Sequence, residues 1–178
     1  MTIGCGGAGS NPPATSRTDA PAPSELRLSG TGFNDVRVDT SATAAQRAAV
    51  RVLGKPDRTR FSGCELGGPE AVFSQVEWSW GALSMSFSNR ATTEKVVPGR
   101  FLGWYVRANG ELPGPVRLPA GISRRSSIDD VRAATPVRSA GEGLPGTYVI
   151  EAADGVSYAF VEPYRRVTSI SLNPPICE

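Results

Sequence analysis

Two stretches of this chain run through the same order of elements, and that recurrence limits the folds open to it more than any other feature. In the first, Thr43 is placed to cap a helix, with Gln46 as its reciprocal partner. The predicted helix runs from Ala44 to Leu53, where Gly54 and Pro56 stop it. Ala42, Ala45, Ala49, Val52 and Leu53 share one side of it and Arg47 and Arg51 the other, which gives a small-residue face suited to packing on a sheet. In the second stretch Ser127 takes the capping position with Asp130, the helix runs from Ile128 to Ala134, and Pro136 follows. The cap-to-proline interval is four residues shorter, close to one helical turn, so helical phase is kept.

An irregular stretch and then alternating strands follow each helix. Val76, Trp78 and Trp80 point one way and Glu77 and Ser79 the other; past Gly81-Ala82, Leu83, Met85 and Phe87 alternate with Ser84, Ser86 and Ser88. A third strand spans Phe101 to Arg107, with Leu102, Trp104 and Val106 on one side. The second pass has Tyr148 to Ala152, a turn at Asp154-Gly155, Val156 to Val161 and Arg166 to Leu172. Asp-Gly between alternating runs is a strong hairpin signal. The expected fold class is therefore α+β: two tandem αβββ units forming one curved antiparallel sheet, with the helices packed on one face. Unit one covers about 27–110 and unit two about 118–178, within a single domain over 25–178.

This tandem pattern resembles the repeat fold of the β-lactamase inhibitor protein and of the BamE-like (SmpA/OmlA) envelope lipoproteins. The carrying residues are the helix stops Leu53-Gly-Lys-Pro56 and Ala134-Thr-Pro136, Gly121-Ile122, Ser127-Ile-Asp-Asp-Val131, and the strand triplets. The resemblance implies a binding or assembly module, or alternatively a secreted inhibitor or sensor of an enzyme. The inhibitor carries an acidic residue on a first-unit turn, whereas here that turn is Gly81-Ala82 and the acidic turn, Asp154, lies in the second unit.

Residues 6–24 contain no aliphatic side chain larger than Ala, so they cannot offset their own ordering entropy and are expected to form a tether. Just before them, Gly4-Cys5-Gly6-Gly7 resembles a lipobox, which implies a diacylglycerol on Cys5 and an extracytoplasmic, membrane-anchored protein. Thr2 stands where a large aliphatic is usual, and the four residues before the Cys hold no charged or apolar export region, so one is expected upstream of Met1. No run approaches the roughly 18 apolar residues of a membrane span, so attachment rests on the lipid. In an exported chain, Cys64 and Cys177 are expected to form a disulfide, two separate thiols being the alternative. Closing so long a loop contributes on the order of 4–5 kcal/mol in the chain-entropy model.

The chemistry open to the chain is narrow. It contains no histidine, which removes imidazole bases, Ser-His nucleophiles and the usual zinc ligand sets, so neither a metal nor a cofactor is expected. A formal charge of +2, spread without blocks, gives no footprint for nucleic acid. Gly141-Glu-Gly-Leu-Pro-Gly146 matches GxGxxG but holds Pro145 and runs into a strand at Thr147, so it reads as a loop. Asp129 and Asp130 suit a helix start, Arg124-Arg125 and Arg165-Arg166 a solvated surface, and the three tryptophans, in phase with Val76, Leu83 and Met85, burial under the helices.

What remains for a partner is the opposite sheet face. Glu77, Ser79, Ser84, Ser86, Phe101, Tyr105, Arg107, Glu151, Ser157 and Ser169 are assigned to it, with Glu77, Ser79, Tyr105, Arg107 and Glu151 as the candidate binding residues. An open groove and an ordinary solvated sheet are both compatible with this composition. The expected function is a non-catalytic module bound to another envelope protein. The cysteine pairing has a direct check: intact mass should rise by two hydrogens on reduction, and free thiols at Cys64 and Cys177 in exported protein would contradict it.

Overall fold

In the computed structural model, residues 24–65, 72–92, 95–163 and 165–173 are described. The first strands are β1 (Leu26–Ser29), β2 (Gly32–Phe33) and β3 (Val36–Arg37), followed by α1 (Ala42–Leu53). Four longer strands come next: β4 (Arg58–Glu65), β5 (Val72–Trp80), β6 (Leu83–Thr92) and β7 (Lys95–Val106). After β8 (Val116–Arg117) and α2 (Ile128–Ala134), the chain ends in β9 (Val137–Glu142), β10 (Thr147–Ala152), β11 (Val156–Val161) and β12 (Val167–Leu172).

The α+β expectation is corrected by this inventory. Among the described residues the chain is mainly β, with twelve strands against two α-helices, and the strands form two sheets rather than one. The eight-stranded antiparallel sheet has the order β4-β5-β6-β7-β12-β11-β10-β9. A four-stranded sheet, β3-β2-β1-β8, includes one parallel pair, β1 with β8. Each helix is followed by four strands, not three, because β4 and β9 occupy the stretches expected to be irregular. The helices are too short to roof this sheet. Helices of 12 and 7 residues are about 18 and 10 Å long, whereas eight strands span roughly 34 Å.

The small sheet supplies the missing cover. Leu26, Leu28 and Phe33 are buried with the apolar face of the large sheet, alongside Ala42, Ala45 and Ala49 of α1 and Val131 of α2. Trp104 shows which element lies over it: its indole N–H donates to the carbonyls of Gly32 at 3.0 Å and Ser29 at 3.1 Å, both in the β1–β2 hairpin. Trp80 donates instead to Gly54 at the end of α1, at 3.0 Å. Between them the rings of Trp78, Phe87, Phe101 and Phe33 make successive contacts at centroid distances of 5.3–5.9 Å, joining large sheet to small.

Helix starts differ in quality. α2 begins as expected, with Ser127 accepting from the Asp130 N–H and the Asp130 carboxylate accepting from the Ser127 N–H. The Asp130 carboxylate also accepts from the Ser127 hydroxyl at 2.9 Å, and the two bonds it accepts, the backbone one first, hold the carboxyl below its ordinary value. α1 is corrected: it starts at Ala42 after Ser41, which makes no side-chain cap, so Thr43 lies inside the first turn. Its first residues are held by the sheet, through the bridge of Ser41 with Arg100 on β7.

One core residue is energetically mismatched. Tyr158 on β11 is fully buried on the apolar face, and its hydroxyl has no hydrogen-bond partner among the described residues. Burial, with the nearby Asp154 charge, pushes its phenol from 10.0 up to about 12. The folded state therefore holds this proton more tightly than the unfolded chain. Its contribution to stability is full below pH 10 and is lost as pH climbs toward 12. Tyr158→Phe should leave neutral-pH stability unchanged or raise it by up to about 1 kcal/mol, since an unpaired hydroxyl disappears. It should also flatten the alkaline decline. Urea titrations of both proteins from pH 8 to 11.5 would check this, and parallel alkaline curves would contradict it.

Candidate functional site

The polar face of the large sheet is built by strand parity. Because paired residues in a sheet share a face, the registers trace one line across all eight strands: Arg58, Ser79, Ser84, Tyr105, Ser171, Ser157, Glu151 and Ser139. At about 4.8 Å per strand the line is roughly 34 Å long. Tyr105 sits in its middle with Ser84 on one side and Ser171 on the other. A second line starts Arg60, Glu77, Ser86 and Gly103.

One ion pair organises the first half of this face. Arg107 Nη2 donates to Glu77 Oε1 at 2.6 Å, and Ser79 Oγ donates to the same oxygen at 3.2 Å. Ser79 and Ser84 hydroxyls are 3.0 Å apart. A hydroxyl has one proton, so when Ser79 gives its own to Glu77 it must accept from Ser84. The chain Ser84 to Ser79 to Glu77 then has a fixed direction. Glu77 is nearly buried while Arg107 is two-fifths exposed, so the pair is anchored from below and open above. In the second half Glu151 accepts from Ser139 at 2.8 Å.

Ser79, Ser84, Ser86 and Ser171 are all buried although they lie on the polar face. They are short side chains set among taller ones, so the surface is low at the serines and rises at Tyr105, Arg58 and Arg60. Gln75, one position along β5 from Glu77 on the same face, is also buried, and its Nε2 donor lacks a partner among the described residues.

Of the predicted face residues, Glu77, Ser79, Ser84, Ser86, Tyr105, Glu151, Ser157 and Ser169 fall where expected by register, with Arg107 at the end of β7 paired to Glu77. Phe101 does not. The register slips between Ser86 and Phe87, which leaves Leu102 as an extra residue on β7 and turns Phe101 into the core against Phe33. Sequence reasoning missed Arg58 and Arg60, although the alternation Arg-Thr-Arg-Phe over 58–61 marks them, and Ser171, which shares parity with Ser169.

Other candidates resolve into structure. Arg124 staples the carbonyls of Ala108 and Gly110 at 2.8 and 2.6 Å. The Gly141–Gly146 segment is the tip of the β9–β10 hairpin. Asp154 accepts from the Val156 N–H at 3.2 Å and packs against Gly30. Cys5 and Cys177 lie outside the described residues, as does the pairing of Cys64. Among the described residues no group of three or more His, Cys, Asp or Glu is placed to hold a metal ion, and no helix is long and apolar enough to cross a membrane. Comparison of the chain with protein-family models, with curated proteins and with solved structures finds no match in any of the three.

The Glu77–Arg107 pair is open to a quantitative test. Arg107→Ala should lower the unfolding free energy by about 1–2 kcal/mol, the exposed half of the pair keeping the cost below that of a fully buried one. The Glu77→Gln/Arg107→Ala double variant should lose less than the sum of the singles. Urea titration measures all three, and additivity to within about 0.3 kcal/mol would show the two residues to be uncoupled.

Proposed function

We propose that this chain is a non-catalytic binding module of the bacterial cell envelope, tethered by a lipid on Cys5, and that the sheet face centred on Tyr105 receives another envelope protein. The observation that carries the reading is the line of side chains across all eight strands. A 34 Å line is far longer than a small ligand needs and matches the width of a standard protein interface of about 800 Å² per partner.

Composition supports the same reading. Tyrosine offers a large, stiff contact area that loses little entropy on binding, and Ser, Gly and Asn adapt their hydrogen bonds to what they meet. This face places Tyr105 among Ser84, Ser171 and Gly103, with Arg107 as a half-exposed anchor beside it. Tyr and Arg are the side chains that most often dominate binding energy at protein interfaces. Because Glu77 already holds Arg107 in place, less ordering is left for a partner to impose.

The test needs the coding region with its natural upstream sequence. The unaltered protein should incorporate a clickable palmitate analogue and float with membranes, and Cys5→Ser should abolish both. A photo-cross-linking residue at position 105 should give one discrete adduct, whereas the same residue at position 47, on the exposed side of α1, should give none. Labelling that survives Cys5→Ser would remove the tether, and equal cross-linking from both positions would remove the face.

A further inference from the structure

A second site lies where the two sheets meet. A cleft of about 540 Å³ is lined by Arg37 and Val38 at the end of the small sheet and by Arg138, Glu151, Ser157 and Asn173 of the large one. Its size is within the range of small-molecule sites. Its lining is mixed, with Val38 and Leu172 beside the charged and polar groups, and those groups would set the orientation of a ligand.

Arg138 is there because of a register change. Glu151 pairs with Ser139 but the next residue, Ala152, pairs with Val137, so Arg138 is an extra residue in β9. Such a bulge re-aims a side chain that regular pleating would have sent to the other face. Here strict alternation with Ser139 would direct Arg138 to the core side, and the bulge brings it to the lining of the cleft instead. Arg37 comes from β3, which is two residues long and held by Phe33 and Gly32 of β2.

Neither guanidinium has a carboxylate partner among the described residues, where the ion pairs involve Arg27, Arg107 and Arg117. The one carboxylate in the lining, Glu151, is already engaged by Ser139. Asp154, next to the lining residue Gly155, is engaged by the Val156 N–H. The lining therefore carries two arginines, one from each sheet, against the single carboxylate of Glu151, which keeps its charge while bonded to Ser139, and the cleft is net positive by one charge. Arginine is suited to gripping carboxylates bidentately, and the hydroxyls of Thr31 and Ser157 and the amide of Asn173 provide for hydroxyl groups between the charges.

From this juxtaposition we infer that the cleft binds a small hydroxylated dicarboxylic acid, with Arg37 and Arg138 each taking one carboxylate. The cleft shares Glu151 and Ser157 with one end of the protein-binding face, but its readout needs neither a tether nor a protein partner, so its failure and that of the face are distinguishable.

Tartrate is a suitable probe, titrated calorimetrically into the full chain beside its uncharged diamide and beside sulfate. Tartrate should bind one molecule per chain, the diamide should show no heat, and sulfate should bind at least about tenfold more weakly. Arg37→Gln and Arg138→Gln should each weaken tartrate about 10- to 100-fold with unchanged circular dichroism. Should either glutamine variant fail to fold, Arg138→Lys and Arg37→Lys keep the charge and should still lose affinity with the bidentate grip. Absence of tartrate binding, sulfate binding of equal strength, or full affinity in substituted protein that remains folded would each overturn the proposal.

Discussion

The join between β7 and β12 is the constraint on which the rest of this molecule depends. It is short: Val106 with Ile170, Tyr105 with Ser171 and Trp104 with Leu172, against eight paired positions between β4 and β5. So few ladder bonds would hold two four-stranded halves together poorly, and side chains make up the difference. Val106 and Ile170 are fully buried, and the Asn173 amide donates to the Leu102 carbonyl at 3.1 Å just past the end of the ladder. Gly103 is needed at this point because any Cβ there would collide with the Leu172 carbonyl oxygen. On the other side of the sheet Trp104 is tied to the small sheet. Both faces therefore converge on residues 103–106, one as the centre of the polar line and the other as the centre of the core.

Departures from regular pleating decide what each face becomes. Perfect alternation along β7 would leave Phe101 on the polar side and break the ring contacts to Phe33, and the small sheet would lose its main aromatic hold. The extra residue at Leu102 prevents that. At the far edge, the extra residue at Arg138 moves a cation out of the core side and into the cleft. These two one-residue insertions do different work, one delivering an apolar ring to the interior and the other redirecting a side chain on an edge strand that is exposed throughout. Both follow from the period of two that governs which side a strand residue faces.

The legibility of the fold in the sequence tracks how strongly each element is patterned. β5, β6, β10 and β11 alternate cleanly because one side of each is buried, and their hairpins are marked by Gly81-Ala82 and Asp154-Gly155. The α2 cap is legible because Ser127 and Asp130 have a specific chemical relation. β4 and β9 are edge strands, and β9 is exposed along its whole length, so burial imposed no pattern on it. The small sheet was illegible for another reason. Strands of two residues, such as β2, β3 and β8, have no period to detect, and they exist only because tertiary contacts hold them. Missing that sheet is what made the chain look like α+β. The polar face was legible where parity was undisturbed, and it failed at Phe101, where a register slip leaves no mark in residue type.

The serines themselves carry an argument about the face. Ser79, Ser84, Ser171, Ser157 and Ser139 occupy five of the eight positions in the line. Threonine would present the same hydroxyl and is better suited to strands, since its branched carbon packs against cross-strand neighbours. At the buried positions 79, 84 and 171 an added methyl would have to be packed into filled space, whereas at the more open positions 139 and 157 threonine would be the better strand former. What serine provides is compactness: without the methyl, Ser79, Ser84 and Ser171 fit almost wholly buried in the floor around Tyr105, with the Ser79 and Ser84 hydroxyls 3.0 Å apart. The serine line is therefore set by packing in its middle and is open only toward its Glu151 end, where Ser157 and Ser139 keep more of their surface.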